Sequence, residues 1–161
     1  MADNLTREQR RWTMSRIRRG NTGPELVVRR LLHARGLRFR IHVKELPGCP
    51  DVVFVSAKVI VFIDGDFWHG WRFEQWRAKL ALYWEGKISR NRERDQCNFR
   101  KLRRCGWAVL RVWEHQIERD PERCAERIVA AVDRGRLTRP TLRGRTSTPQ
   151  RLSAVRSTMS T

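Results

Sequence analysis

Two nearly continuous apolar runs, Val52 to Val55 and Val59 to Ile63, joined by Ser56-Ala57, constrain this chain more than any other feature. Runs without polar alternation suit strands covered on both faces, and so short a joint suits a hairpin. Covering such strands takes helices on both sides of a sheet, and the flanking sequence supplies them. Asn21-Thr22-Gly23-Pro24 followed by Glu25 is a helix-start signal. The helix it opens, about residues 24 to 35, offers Leu26, Leu31 and Leu32 to a core and stops at Gly36. Residues 38–42 alternate as a strand does, and Pro47-Gly48-Cys49-Pro50 then breaks the chain. A helix is predicted from about Trp84 to Arg104, ending at Gly106. Residues 107–113 read as a further buried strand and 121–134 as a closing helix. The order α-β-β-β-α-β-α describes an α/β fold, a mixed β-sheet flanked by helices.

Charge narrows the partner. The 161 residues carry 35 Lys and Arg against 17 Asp and Glu, a net +18 whose field attracts a polyanion, most commonly nucleic acid. A membrane surface would attract it too. Yet no apolar run approaches the roughly 18 to 20 residues that span a bilayer, and no signal peptide is seen. A soluble, intracellular protein is expected. Basic residues gather at both ends. Residues 1–20 read as a basic helix with Trp12, Met14 and Ile17 as its few apolar positions. From Gly135 onward there is no acidic residue, and Pro, Ser, Thr and Arg predominate. Residues 135–161 are therefore expected to be a disordered basic tail that adds salt-sensitive affinity for DNA, leaving 21–134 as the central domain. Cys49, Cys97, Cys105 and Cys124 form no C-x-x-C pair and have no His at ligand spacing, so free, mostly buried thiols are expected.

With Ser56-Ala57 as the turn, Asp51 lies opposite Phe62, and Ile63, Asp64 and Asp66 fall just past the strand end. Carboxylates and a strand-end carbonyl would thus meet at one edge of a buried sheet. Mg²⁺ takes hard oxygen ligands and keeps several waters, which leaves room for phosphate oxygens. Acidic residues often merely mark loop ends. Here, however, Asp51 sits between Pro50 and an apolar strand, and Asp64-Gly65-Asp66-Phe67-Trp68-His69-Gly70 packs costly residue types into one loop. His69 can deprotonate a water near neutral pH. His33, His42 and His115 are read as structural. Phe67 and Trp68, beside this centre and outside the strand periodicity, suit insertion between base steps. In the long helix Ile88, Asp95, Phe99 and Leu102 share one face, so Asp95 points with an apolar stripe and needs a partner, either His69 or an arginine. Lys87, Arg90 and Arg94 occupy an adjacent face suited to phosphates.

Together these residues resemble the very-short-patch repair (Vsr) endonucleases, nickases of the restriction-endonuclease-like PD-(D/E)xK fold. The resemblance runs from about Met14 to Ala131. It is carried by Pro24-Glu25-Leu26, Pro47 to Asp51, Phe62 to His69, Tyr83 to Ile88 with Asn91, Arg94 and Asp95, and Gly106-Trp107 to Trp113-Glu114. It implies that Asp51 and the backbone carbonyl of Ile63 hold Mg²⁺ and that His69 activates the water. Glu25, Asp64 and Asp95 would support the metal waters or the histidine. Phe67, Trp68 and Trp84 would wedge into DNA beside a T·G mismatch, with Lys87, Arg90 and Asn91 on the DNA and the helix around Met14 and Ile17 clamping the other groove. The implied reaction is a nick 5′ of the mismatched thymine, which begins repair of deaminated 5-methylcytosine, general repair proteins following.

The chain departs from that pattern in two places. The best-known members hold a structural zinc through Cys and His, where this chain has Asp66, Trp71, Phe73 and a stretch with His115 but no cysteine. No zinc is expected, with Trp71, Phe73 and Trp76 as an apolar substitute. Asp64 replaces a histidine found in others, which leaves its role open. Two rival functions stand beside the mismatch nickase: a restriction-type endonuclease of the same fold, and a catalytically silent DNA-binding module.

Overall fold

The hairpin forms in the expected register. In the computed structural model, which describes residues 20–138 together with Thr6, Glu8, Gln9 and Arg11, β1 (Val52–Phe54) pairs antiparallel with β2 (Val59–Asp64), Val52 facing Val61. Residues 55–58 make the turn, Lys58 adopting a positive φ of 53°. β3 (Ala108–Trp113) joins β2 in parallel, giving a mixed sheet of order β1-β2-β3. Because β1 runs against the other two, its first residue and the last residues of β2 and β3 share one rim.

Alternate residues of β2 serve two cores, as the twofold period of a strand requires. Val59 and Val61, with Val52 and Phe54, pack under α1 (Gly23–Ala34), α4 (Glu114–Arg119) and α5 (Pro121–Leu137). Ile60 and Phe62, with Val53, pack on Phe99 and Leu102 of α3 (Leu82–Arg104). Four α3 residues are buried, namely Ile88, Asp95, Phe99 and Leu102, the face read from the spacing. α1 is capped by Thr22, whose hydroxyl accepts from the Glu25 N–H at 3.5 Å while donating to Glu25 Oε1 at 3.1 Å. Its core positions are Val28 and Leu32, with Leu31 packed alongside. Leu26, expected inside, is 39% exposed, because it lies on the opposite side of the helix from Val28.

Five further features differ from the sequence reading. The alternating segment 38–42 makes only a bridge, Arg40 exchanging both backbone bonds with Val53, since His42 turns the chain away with φ 47°. β3, read as a buried strand, has only Val112 buried among its residues. Two short elements went unanticipated, α2 (Phe73–Trp76) with the 3₁₀ turn Arg77–Lys79, and α4. α5 continues to Leu137, into the stretch read as tail. A Cβ on Gly135 would lie 2.3 Å from the Ala57 carbonyl oxygen, so the missing side chain lets this helix close onto the hairpin turn. The cysteines are free, but only Cys124 is buried, since Cys49 and Cys105 lie in exposed turns. Thr6 and Gln9 cap each other reciprocally and Glu8, Gln9 and Arg11 are helical, whereas Met14, Ile17 and residues 139–161 lie outside the described residues.

Candidate active site

Asp51 stands at the rim where β1 begins. Its Oδ2 accepts the Ile63 N–H at 2.7 Å, which turns this peptide of β2 toward β1. The β1–β2 ladder ends at Val52 and Val61, and Pro50, just before it, has no N–H to offer the end of β2. Burial is the chief influence on Asp51 and pushes its carboxyl up to about 7. The Ile63 bond opposes this, and the charges of Glu25 and Asp64 add to it. Glu25 is buried beside it and held by Arg29 at 2.5 Å and by the Asn21 N–H at 2.9 Å. His42, read as structural, contacts Arg29 at 2.9 Å and lies 3.5 Å from Glu25.

The next residue of β2 faces the other way. Asp64 points to the α3 side, where Arg111 of β3 donates to its Oδ2 through Nε. Arg111 Nη2 also reaches Asp95 Oδ2 at 3.3 Å, so one guanidinium spans two carboxylates on different elements. His69 Nδ1 lies 2.5 Å from Asp95 Oδ2, and its Nε2 lies 3.4 Å from Asp64 Oδ1. Asp95 thus meets both partners weighed for it. Burial raises the Asp64 carboxyl, opposed by the charges of His69 and Arg111. For Asp95 burial again works upward but is outweighed by its hydrogen bond to His69 and the nearby cations, so its carboxyl sits low.

The loop carrying His69 is drawn onto α3 by Gly70. This residue has φ 68°, and a Cβ there would stand 2.8 Å from Arg92 Cδ and 3.1 Å from Ile88 Cγ2. Asn91 donates to the Trp68 carbonyl at 3.1 Å, so this residue, expected on DNA, is engaged within the protein. Phe67 is 41% exposed and meets Trp68, Trp76 and Trp84 at ring separations of 5.0, 5.8 and 5.9 Å. The Lys87 ammonium lies 5.4 Å from the Trp68 ring and 5.5 Å from the Trp84 ring. Arg90 and Arg94 are exposed on the same helix. Trp71 meets the rings of Trp113 and His115 at a tilt, and His115 bonds Asp66 at 2.7 Å; Phe73 is buried against Trp76.

One cleft of about 1400 Å³ joins Asp51, Ile63, Asp64, His69 and Asp95, with Asn98 and Lys101 of α3 on its wall. That size suits a stretch of polymer rather than one small ligand. Among the described residues two donor groups could hold a metal ion, Glu25/His42/Asp51 and Asp64/His69/Asp95.

A family model described as DNA mismatch endonuclease Vsr matches residues 2–75. The chain is 45% identical to a type II nicking enzyme of Xanthomonas oryzae over 73% of its own length and 88% of that protein's. It is 40% identical to a type II nicking enzyme of Neisseria meningitidis, over 81% of this chain and 90% of the other. The DNA mismatch endonuclease Vsr of Escherichia coli is 35% identical over 71% of this chain and 74% of its own. The chain belongs to the Vsr family. It is a DNA endonuclease, a hydrolase acting on DNA, with a mixed sheet of the restriction-endonuclease-like kind.

In this Vsr-family chain the rim gathers Glu25, Asp51, Ile63, Asp64, His69 and Asp95, while Phe67, Trp68 and Trp84 form a group beside them. Sequence reasoning missed Arg111, Arg29 and His42. The signal for Arg111 was available, since it is the one charged residue inside the run Trp107 to Trp113. Arg29 stands four residues after Glu25, one helical turn on, where a buried acid finds its cation. Among the described residues no helix is long and apolar enough to cross a membrane.

Proposed function

We propose that this Vsr-family endonuclease is a Mg²⁺-dependent nickase that cuts 5′ of the thymine in T·G mismatches, initiating repair of deaminated 5-methylcytosine. The observation that carries this reading is that one loop presents His69 together with the exposed ring of Phe67 and the half-buried ring of Trp68, so the cutting group and the unstacking group share a support. A mismatch lowers the cost of opening a base step by about a few kcal/mol, so rings that test unstacking select before chemistry begins.

Asp51 and the Ile63 carbonyl fit a hard divalent cation. Asp51 has no cationic side chain hydrogen-bonded to it among the described residues, and the desolvated charge of its carboxylate, which burial disfavours, would be offset by a bound cation. Glu25 is already committed to Arg29, and Asp64 and Asp95 to Arg111 and His69, which leaves Asp51 as the carboxylate with capacity. A bound Mg²⁺ would polarise the phosphate and stabilise the leaving oxygen. His69 supplies the base: with Nδ1 turned to Asp95, Nε2 takes the proton of the water whose oxygen attacks phosphorus as the bridging ester bond breaks. The protein acts as a monomer on double-stranded DNA.

Strand-specific cleavage of an end-labelled duplex with one T·G mismatch in varied contexts, beside the paired duplexes, tests the whole. A single Mg²⁺-dependent nick next to the thymine, lost in EDTA, is expected. Cutting of both strands of paired DNA would identify a restriction-type enzyme instead.

A further inference from the structure

We propose that Arg111 is a positioning residue for His69, holding Asp64 and Asp95 so that the imidazole keeps one donated hydrogen bond, at Nδ1, and an unprotonated Nε2. This rests on the reading of His69 as the base. An imidazole between two carboxylates is driven toward imidazolium, and an imidazolium has no lone pair with which to take a proton from water. Here both His69 nitrogens face carboxylates, Asp95 at 2.5 Å and Asp64 at 3.4 Å. The Arg111 guanidinium supplies the offsetting charge. It occupies Asp64 Oδ2 and shares Asp95 Oδ2 with the imidazole, so two acids and one guanidinium leave a single net negative charge around His69.

The geometry is built rather than incidental. The Arg111 side chain is 24% exposed, and its guanidinium carbon lies 4.2 Å from the Trp113 ring centre and 5.3 Å from that of Phe99. Two rings thus fix the plane of a fork that bridges separate elements, which a lysine ammonium cannot match. Other charged groups on this cleft are Arg94 of α3, 3.4 Å from Asp95 Oδ1, Glu114 at the start of α4, beside Gly65, and Asp51 at the rim, which also feels the charge of Asp64.

The test compares the wild type with Arg111→Met, Arg111→Lys and the double variant Arg111→Met/Asp64→Asn. Two properties are read: the pH dependence of single-turnover nicking with Mg²⁺, and the His69 imidazole titration by NMR in the metal-free protein. The resonance is assigned by its loss in His69→Gln. In Arg111→Met the imidazole midpoint should rise by about one pH unit or more. Nicking should fall about tenfold near pH 6.5 and recover above about pH 8.5. Lysine should restore part of the shift, and the double variant should bring the midpoint back toward wild type. An unmoved midpoint, with any rate loss uniform across pH, would overturn the proposal and leave Arg111 as packing. If Arg111→Met does not fold, the lysine and double variants decide the same question. Wild-type nicking by His69→Gln would instead sink the reading of His69 as base, an outcome distinct from a failure of Arg111.

Discussion

The two donor groups at the rim are built from the same residue types, and they are disposed for opposite tasks. Glu25, Arg29 and His42 form a closed set beside Asp51, and the arginine is spent on Glu25 rather than on Asp51. Asp64, Asp95 and Arg111 form a set around His69 in which each acid already has a cation. The first arrangement leaves a half-buried carboxylate with no cationic side chain hydrogen-bonded to it among the described residues. The second holds an imidazole at a fixed tilt with its neighbours neutralised. Where an arginine lands, more than how many acids are present, separates a cation seat from a proton-transfer seat.

The contrast can be broken at several points. Replacing Asp51 by Ala should have the largest effect, lowering Mg²⁺-dependent nicking by about three orders of magnitude or more while DNA binding persists. A gel-based single-turnover assay beside a binding isotherm measures both, and a mild loss would remove Asp51 from the metal seat. Asp95→Asn keeps an acceptor for His69 but not the charge, so nicking should drop about 10- to 100-fold. Equal sensitivity to Mg²⁺ concentration in wild type and variant would confirm that this group does not seat the metal; a steep new Mg²⁺ requirement would blur the two groups into one.

Trp68→Ala should reduce cleavage of a mismatched duplex about tenfold more than it reduces binding to paired DNA. Equal losses would make the aromatic group mere packing on Trp84. The smallest effect concerns stability. Folded Asp51 keeps its proton to about pH 7, whereas the unfolded chain releases it near 3.8. Between those values the folded state binds more protons, so stability falls as pH rises through the window and the full penalty stands above it. Metal-free Asp51→Asn should therefore be more stable than wild type at pH 8, by on the order of 1–3 kcal/mol, with little difference near pH 4. Thermal denaturation at both pH values measures it, and a variant less stable at pH 8 would refute the assignment.

Much of this was legible in the chain because it depends on period and spacing. The hairpin register follows from two apolar runs about one turn, and the buried face of α3 follows from spacings that match 3.6 residues per turn. Leu26 and residues 38–42 were misread because each satisfies a local pattern that tertiary context overrides. Leu26 fits a helix stripe displaced from the one that meets the sheet. Residues 38–42 alternate, yet His42 bends the chain after one bridge. Arg29, His42 and Arg111 were missed for a different reason. Their roles come from pairings with residues 4, 17 and 47 positions away, and no periodicity within one element encodes the longer two.

Ile63 and Asp64 are neighbours in the chain, yet one serves the α1 side of the sheet with its carbonyl aimed at β1, and the other faces α3. Insertion or deletion of a single residue between Val59 and Ile63 would exchange the two sides and dismantle both halves of the rim together. The six residues of this strand therefore act as a ruler, setting the spacing at which the loops around the cleft meet.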